Sequence, residues 1–204
     1  MDNGKDTMMP AYLRAATTGS VVAYNASVDP SLKFSNLEIT GDGDTLTNRR
    51  TDTESNTLLQ AGIGTHKIGN DGQVYIDRLV TTYKTNAQGS ADNSYRNLNT
   101  ITNLQDFNKG WEIRANSHNA RSKLANDGTA FGAGQAISTE STIKGDLVAY
   151  YEELVALGRV VDVDSFADSI VISIDTSIGK ATITGSPNLI VQFYQTDTTV
   201  LFLI

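Results

Sequence analysis

The chain has 204 residues, of which 39% are hydrophobic and 19% charged, enough for one large or two small domains with a sizeable core. Sixteen basic residues against 23 acidic ones give a net charge of −7, which withholds the phosphate-neutralising surface that supplies most nucleic-acid affinity, so no nucleic-acid partner is expected. The absence of Cys removes disulfides, thiol catalysis and thiolate metal sites together. Thr, Asn, Ser and 17 Gly fill the space left by the missing apolar and charged residues. That composition suits β-structure, turns and polar protein–protein surfaces better than a helical bundle.

Met1 to Pro10 carries charges at Asp2, Lys5 and Asp6 and lacks the apolar stretch of a secretory signal. No run approaches the ~18 apolar residues of a membrane span, so no direct membrane insertion is expected. From Ala11 to Tyr24, the residues Leu13, Ala16, Val21, Val22 and Tyr24 are loosely helix-periodic, and Asp29-Pro30 ends the helix. Ser35 to Asn56 is polar, contains Gly41-Asp42-Gly43-Asp44 and reads as an exposed loop. Thr51 or Asp52 caps a short helix through Leu58, Leu59 and Ala61, with Glu54 in its first turn and Gly62 just past its end.

A hairpin follows: His66 to Ile68, a turn over Gly69 to Gly72, and a second strand from Gln73 to Tyr83 in which Val74, Ile76 and Val80 share one face. Ala87 to Asn93 reads as a linker. Asp92, Asn93 or Ser94 then caps a long helix with the inward stripe Leu98, Ile101, Leu104 and Phe107, continuing toward Trp111, with Gly110 as a candidate kink. Leu124 to Ser138 is a glycine-rich loop. A second helix starts at Thr139 to Ser141, runs through Ile143, Leu147, Tyr150, Tyr151 and Leu154, and closes at Gly158. The remainder reads as sheet: Ile170 to Ile174, a turn at Ser177 to Lys180, Ala181 to Thr184, then Leu189 to Tyr194 and Thr198 to Ile204.

Chemistry is hard to find in this sequence. Asp42-Gly43-Asp44 invites a calcium reading, but Leu46 occupies the fifth loop position and no Glu closes the loop, so it reads as a surface turn. Gly132-x-Gly134 opens like a dinucleotide fingerprint, yet Ile137 stands at the third glycine position and no strand precedes it. His66 and His118 are the only histidines, and there is no G-x-S-x-G. The acid pairs Asp162 with Asp164 and Glu152 with Glu153 lack an apolar setting that would split their pKa values. No catalytic residue, cofactor or metal is expected.

Three segments carry a family resemblance. They are Gly72 to Tyr83 (GQVYIDRLVTTY), Asp92 to Thr100 (DNSYRNLNT) and Lys123 to Ile137 (KLANDGTAFGAGQAI). In this order and spacing they resemble the tail sheath proteins of contractile phages, particularly the Mu-like group, from about Pro10 onward. Glu140 stands where that family tends to have Pro after Thr, and both residues suit the first turn of a helix. Members of the family are about twice as long, with an N-terminal arm and a further domain, so the chain resembles the C-terminal half of a sheath subunit, as a fragment or the product of a shortened gene. Donation of the N-terminal arm does not carry over to it.

The resemblance implies an α+β fold, a mixed sheet with two main helices packed on it, with residues 1–68 as the remnant of a middle domain and 69–204 as the sheath C-terminal domain. It implies a structural protein of the virion tail, assembled in the bacterial cytoplasm. Six-fold rings of like subunits would stack around a tail tube, meet baseplate proteins, and contract without nucleotide to drive the tube through a bacterial envelope. In the family the C-terminal domain lies nearest the tube and holds the strands that link subunits. Two surfaces are candidates for these contacts. Gly145, Ala149, Glu152 and Ala156 form a mostly small-residue face opposite the core stripe of the second main helix, a candidate seat for the tube. Thr198, Thr199, Val200, Leu201, Phe202, Leu203 and Ile204 form a β-prone, uncharged strand, a candidate for pairing with a neighbouring subunit. The alternatives are a stand-alone baseplate or adhesion module and a hydrolase.

Overall fold

A computed structural model describes residues 9–194, 196 and 199. The expected last strand, Thr198 to Ile204, therefore lies outside the described residues except for Thr199. The described elements run α1 (Ala11–Val28), β1 (Glu38–Gly43), α2 (Asp52–Gln60), β2 (Thr65–Ile68), β3 (Gln73–Arg78), α3 (Leu98–Asn119), β4 (Lys123–Leu124), β5 (Ile137–Ser138), α4 (Glu140–Ala156), β6 (Val160–Val161), α5 (Val163–Ser169), β7 (Val171–Asp175), β8 (Lys180–Thr184) and β9 (Asn188–Leu189). The α+β class is as expected, with the strands distributed over four small sheets. One is three-stranded in the order β1-β3-β2; β4–β5, β6–β9 and β7–β8 are pairs. Among the described strands only β4–β5 is parallel.

Two buried clusters organise the chain. The first joins Val22, Phe34, Ile39, Val74 and Ile76, with Leu98 packed at its edge. The second joins Phe107, Ile143, Leu147, Tyr151, Leu154, Val160, Phe166 and Ile170. Helix α3 spans the two, entering the first at Leu98 and the second at Phe107. The division expected at residues 68/69 falls in the turn of the β2–β3 hairpin, whose two strands share one sheet.

Helix α1 is where expected, but its inward face is polar. Arg14, Thr18 and Val22 are buried at i, i+4 and i+8, while Leu13 and Tyr24 of the expected stripe are exposed. Arg14, 1% exposed, places Nε 2.5 Å from Asp42 Oδ2. Its Nη1 lies 3.3 Å from His66 Nε2, where the guanidinium, which only donates, is the donor. This buried ionic contact overturns two expectations. Residues 38–43 are a strand of the core sheet rather than part of an exposed loop, and the Asp42 turn is interior rather than surface.

Strand β3 ends at Arg78, earlier than expected. Residues 79–97 make a closed excursion instead: Val80 bridges Asn97, Thr81 N–H donates to Arg96 O, and the Tyr83 and Tyr95 rings meet edge-on at 5.3 Å. Asp92, an expected helix cap, is committed inside this excursion. It accepts from Tyr83 Oη at 2.6 Å and from Ser94, and α3 starts only after Asn97. The buried positions of α3 are Asn99, Asn103 and Phe107; Phe107 is in the expected stripe, Leu98 packs at the edge of the first cluster, and Ile101 and Leu104 are only half-buried. Asn103 Nδ2 donates to Arg159 O at 2.8 Å and Asn99 Nδ2 donates to Leu32 O, so both buried amides are satisfied.

Gly110 does not interrupt α3. The Tyr150 side chain of α4 fills the space beside it: a Cβ there would lie 1.8 Å from Tyr150 Oη and 2.9 Å from its Cζ. The fully buried tyrosine of α4 is Tyr151, stacked on Phe166 at 3.7 Å, while Tyr150 is half-buried against α3. Tyr151 Oη donates to Val161 O at 2.7 Å and accepts from Asn188 N–H at 3.0 Å, tying α4 to the β6–β9 pair. Burial raises the Tyr151 phenol above its ordinary pKa, which keeps it neutral as the donor this arrangement uses.

Helix α5 lies between the end of the second main helix at Gly158 and the sheet expected from Ile170, where no element is expected. Asp162, at φ 64°, caps it by accepting from Ser165 N–H at 3.1 Å, and Phe166 is its buried anchor. The β7–β8 hairpin is as expected. The strand expected over Leu189 to Tyr194 shrinks to Asn188–Leu189, because the chain then leaves the sheet: Gln192 Nε2 donates to Ser31 O, and the Tyr194 ring lies 4.2 Å under the Arg78 guanidinium.

Candidate assembly surfaces

Thr139 builds the start of α4 as expected. Its hydroxyl accepts from Thr142 N–H while the Thr142 hydroxyl accepts from Thr139 N–H, a reciprocal cap that satisfies two otherwise orphaned amides. Gly158, at φ 68°, closes the helix. With Ile143, Leu147, Tyr151 and Leu154 turned into the core, Gly145, Glu152 and Ala156 are exposed and Ala149 is half-exposed. A Cβ on Gly145 would meet nothing within 4 Å. The structure thus brings the four small-face candidates to one open surface of α4.

The glycine-rich segment is a loop whose ends are pinned by the β4–β5 pair, Lys123 opposite Ile137 and Leu124 opposite Ser138. Residues 126–136 are all exposed, Phe131 among them. The Asp127 carboxylate holds the loop on the first turn of α4, accepting from Ser141 N–H at 3.1 Å and Ser141 Oγ at 2.8 Å. Negative charge is favoured there by the helix dipole. Hydrogen bonds from the Thr139 and Ser141 side chains hold Asp127 below the ordinary carboxylate pKa. The loop of the third resembling segment, residues 126–136, is therefore solvent-facing and fixed on the first turn of α4.

The β7–β8 hairpin turns Ile172, Ala181 and Ile183 toward the second cluster. Among the described residues, no third strand pairs with either of its edges, and Val171 and Ile178 are exposed on it. Val191 and Phe193, 84% and 71% exposed, follow just before the residues whose strand character the sequence suggests. Uncovered strand edges are templates for another chain.

Both histidines lie against charged side chains. His66 is buried against Arg14. His118, in the last turn of α3, pairs with Asp146 of α4 at 2.7 Å, and Arg114 bridges Asp146 and Glu153, so these groups clamp α3 to α4. Among the described residues no three His, Asp or Glu side chains converge as a metal site would require, and no helix is long and apolar enough to cross a membrane.

No family model matches the chain. It is similar to the Mu-like prophage FluMu tail sheath protein of Haemophilus influenzae, 32% identical over 185 residues that take in 90% of this chain and 38% of that protein. A sheath tail protein of Listeria innocua, 16% identical, shares its fold at a TM-score of 0.58 over 81% of this chain and 36% of that one. A chain of the anti-feeding prophage baseplate, seen by six-fold symmetrised cryo-electron microscopy and 11% identical, reaches 0.58 over 96% of this chain and 50% of that one. At those two identities the likeness is one of fold. The chain spans less than two-fifths of the curated relative it matches.

Proposed function

We propose that this chain, a homologue of the Mu-like tail sheath proteins over nine-tenths of its length, is a structural subunit of a contractile tail sheath. The observation that carries the reading is 32% identity over 185 residues on a fold shared with a sheath tail protein. The surface features support it. A sheath works by exchanging one set of subunit contacts for another, and this chain offers an open small-residue helix face, a fixed exposed loop and a hairpin whose edges pair with no third strand among the described residues. The work of contraction comes from the free-energy difference between an extended assembly and a contracted one that buries more interface, at roughly 25 cal/mol per Å² of apolar area, without nucleotide.

In this reading the subunits form six-fold rings around a tail tube and meet the baseplate at one end, in a virion tail assembled in the host cytoplasm. The face of Gly145, Ala149, Glu152 and Ala156 lies against the tube, where small side chains allow close backbone approach. The strand from Thr198 to Ile204 is donated to a neighbour's β7–β8 edge, with backbone hydrogen bonds supplying affinity and alternate side chains supplying register. Residues 69–204 act as the sheath C-terminal domain and 1–68 as the remnant of the middle domain.

Imaging tails assembled with the chain tests the reading. Filaments or stacked rings support a sheath; a single ring capping a tube end supports a baseplate module, the second reading that the baseplate neighbour's coverage favours; isolated monomers refute both. Ala149→Arg should stop assembly on tubes while leaving the fold intact, and normal assembly by that variant defeats the tube assignment. Deleting Thr198 to Ile204 should leave a folded subunit with a cooperative melt that forms no rings. Unfolding of the truncated chain shows instead that the strand belongs to its own core.

A further inference from the structure

Basic side chains are scarce here, yet several border one groove. Two adjoining cavities, of about 440 Å³ and 240 Å³, share Asp52, Ser55, Lys67 and Asp77 as lining residues. Lys33 and Arg78 line the larger and Arg49 the smaller. The two arginines are held by neutral acceptors: Arg49 donates to Ile68 O and Asn70 Oδ1, and Arg78 donates to Asn97 Oδ1. Such bonds fix the direction of a cation without neutralising it. Lys33 and Lys67 form no ion pair among the described residues. Asp77 takes its hydrogen bond from Thr65 Oγ1. In a chain of net charge −7 the groove therefore carries a positive surplus.

The opposite surplus lies elsewhere on the same chain. Residues 140–175 hold eight acidic and two basic residues. Arg159 is paired with Asp106, and Asp146 and Glu153 are engaged by Arg114 and His118. Asp164 and Asp168 of α5 are exposed, stand four residues apart on one face and form no ion pair among the described residues. No residue of α5 lines the groove of its own chain.

We infer that the groove bordered by Lys33, Arg49, Lys67 and Arg78 receives the acidic α5 face, Asp164 and Asp168, of a second copy of this chain. The contact joins two different patches, so each copy has one of each left to offer and the association repeats, as a ring if the rotation closes and as a helical filament if it does not. The inference rests on the sheath reading and gives it a named subunit contact. The charges would steer encounter and fix register, and salt screens them.

Two charge-reversed full chains test it: Lys33→Glu with Lys67→Glu in the groove, and Asp164→Lys with Asp168→Lys on α5. Circular dichroism and a thermal melt confirm that each is folded, and sedimentation velocity at low and high salt reads association. Each variant alone should associate at least tenfold more weakly than the natural chain, since its groove and helix now carry like charges. An equimolar mixture should regain the natural affinity, because each groove then meets a helix of opposite sign, and added salt should weaken it. If the single variants assemble like the natural chain, the groove contact is wrong and the sheath reading stands. If they fail and the mixture does not recover, the groove serves a different partner and the inference is overturned. If the natural chain itself does not assemble, the sheath reading falls and this contact with it.

Discussion

Replacing Gly110 tests whether the α3–α4 seam is packed as described. A glycine in a helix interior costs about 1 kcal/mol relative to alanine, so on propensity alone Gly110→Ala should stabilise the protein. The structure predicts otherwise. A Cβ at 110 would sit 1.8 Å from Tyr150 Oη and 2.9 Å from Cζ, so the half-buried ring must move out of its place beside Phe107, where the ring centroids are 6.4 Å apart. Forcing extra volume into a packed seam costs about 1–3 kcal/mol, and after the propensity gain Gly110→Ala should be neutral to about 2 kcal/mol destabilising. Tyr150→Leu removes the phenol and keeps an apolar side chain, and in that background Gly110→Ala should stabilise by about 1 kcal/mol. The coupling between the two positions is then about 1–3 kcal/mol, in the range measured for residues in contact. Urea unfolding of the four proteins, followed by far-ultraviolet circular dichroism, completes the cycle. If Gly110→Ala stabilises by the same amount in both backgrounds, Tyr150 does not occupy the space and the seam is misdescribed.

Asp42→Ala removes the carboxylate 2.5 Å from a guanidinium that is 1% exposed, and should cost about 3–5 kcal/mol in denaturant unfolding; a loss under 1 kcal/mol contradicts the buried placement. Thr139→Ala should lower stability by about 1 kcal/mol through loss of the α4 cap, about 2–4 °C in melting temperature for a chain of this size. Asp127 has its folded pKa depressed by the Thr139 and Ser141 side chains, so its contribution is present above the unfolded value and lost as pH falls through the folded one. Asp127→Asn should accordingly flatten the fall of melting temperature between about pH 5 and pH 2, and an unchanged slope would show that the carboxylate is not held there. Chelator should leave the melting temperature unchanged; a drop reversed by calcium would mean that the carboxylates of residues 42 and 44 hold a cation.

Local signals in the sequence were sufficient for α1, α2 and α4, for both hairpins and for the Thr51 and Thr139 caps, because a cap, a turn glycine and an apolar repeat act within a few residues. They also exposed the small-residue face of α4 and the glycine-rich loop, and the resemblance pointed to the sheath fold. What faces inward was a different matter. Arg14 is buried because Asp42 and His66, 28 and 52 positions away, accept its charge and its hydrogen bonds. Asn99 and Asn103 are buried on α3 alongside Phe107 because the carbonyls of Leu32 and Arg159 await their amides. Strand β1 has a single buried apolar residue, Ile39, beside Asp42, too little for a periodic signal, and the seven residues of α5 are too few to show one. Gly110 reads as a kink until Tyr150 is seen to fill its space. The groove cations come from segments as far apart as Lys33 and Arg78, so no window of sequence contains it. A polar side chain is buried only where a remote partner satisfies it, and only the tertiary structure supplies that partner.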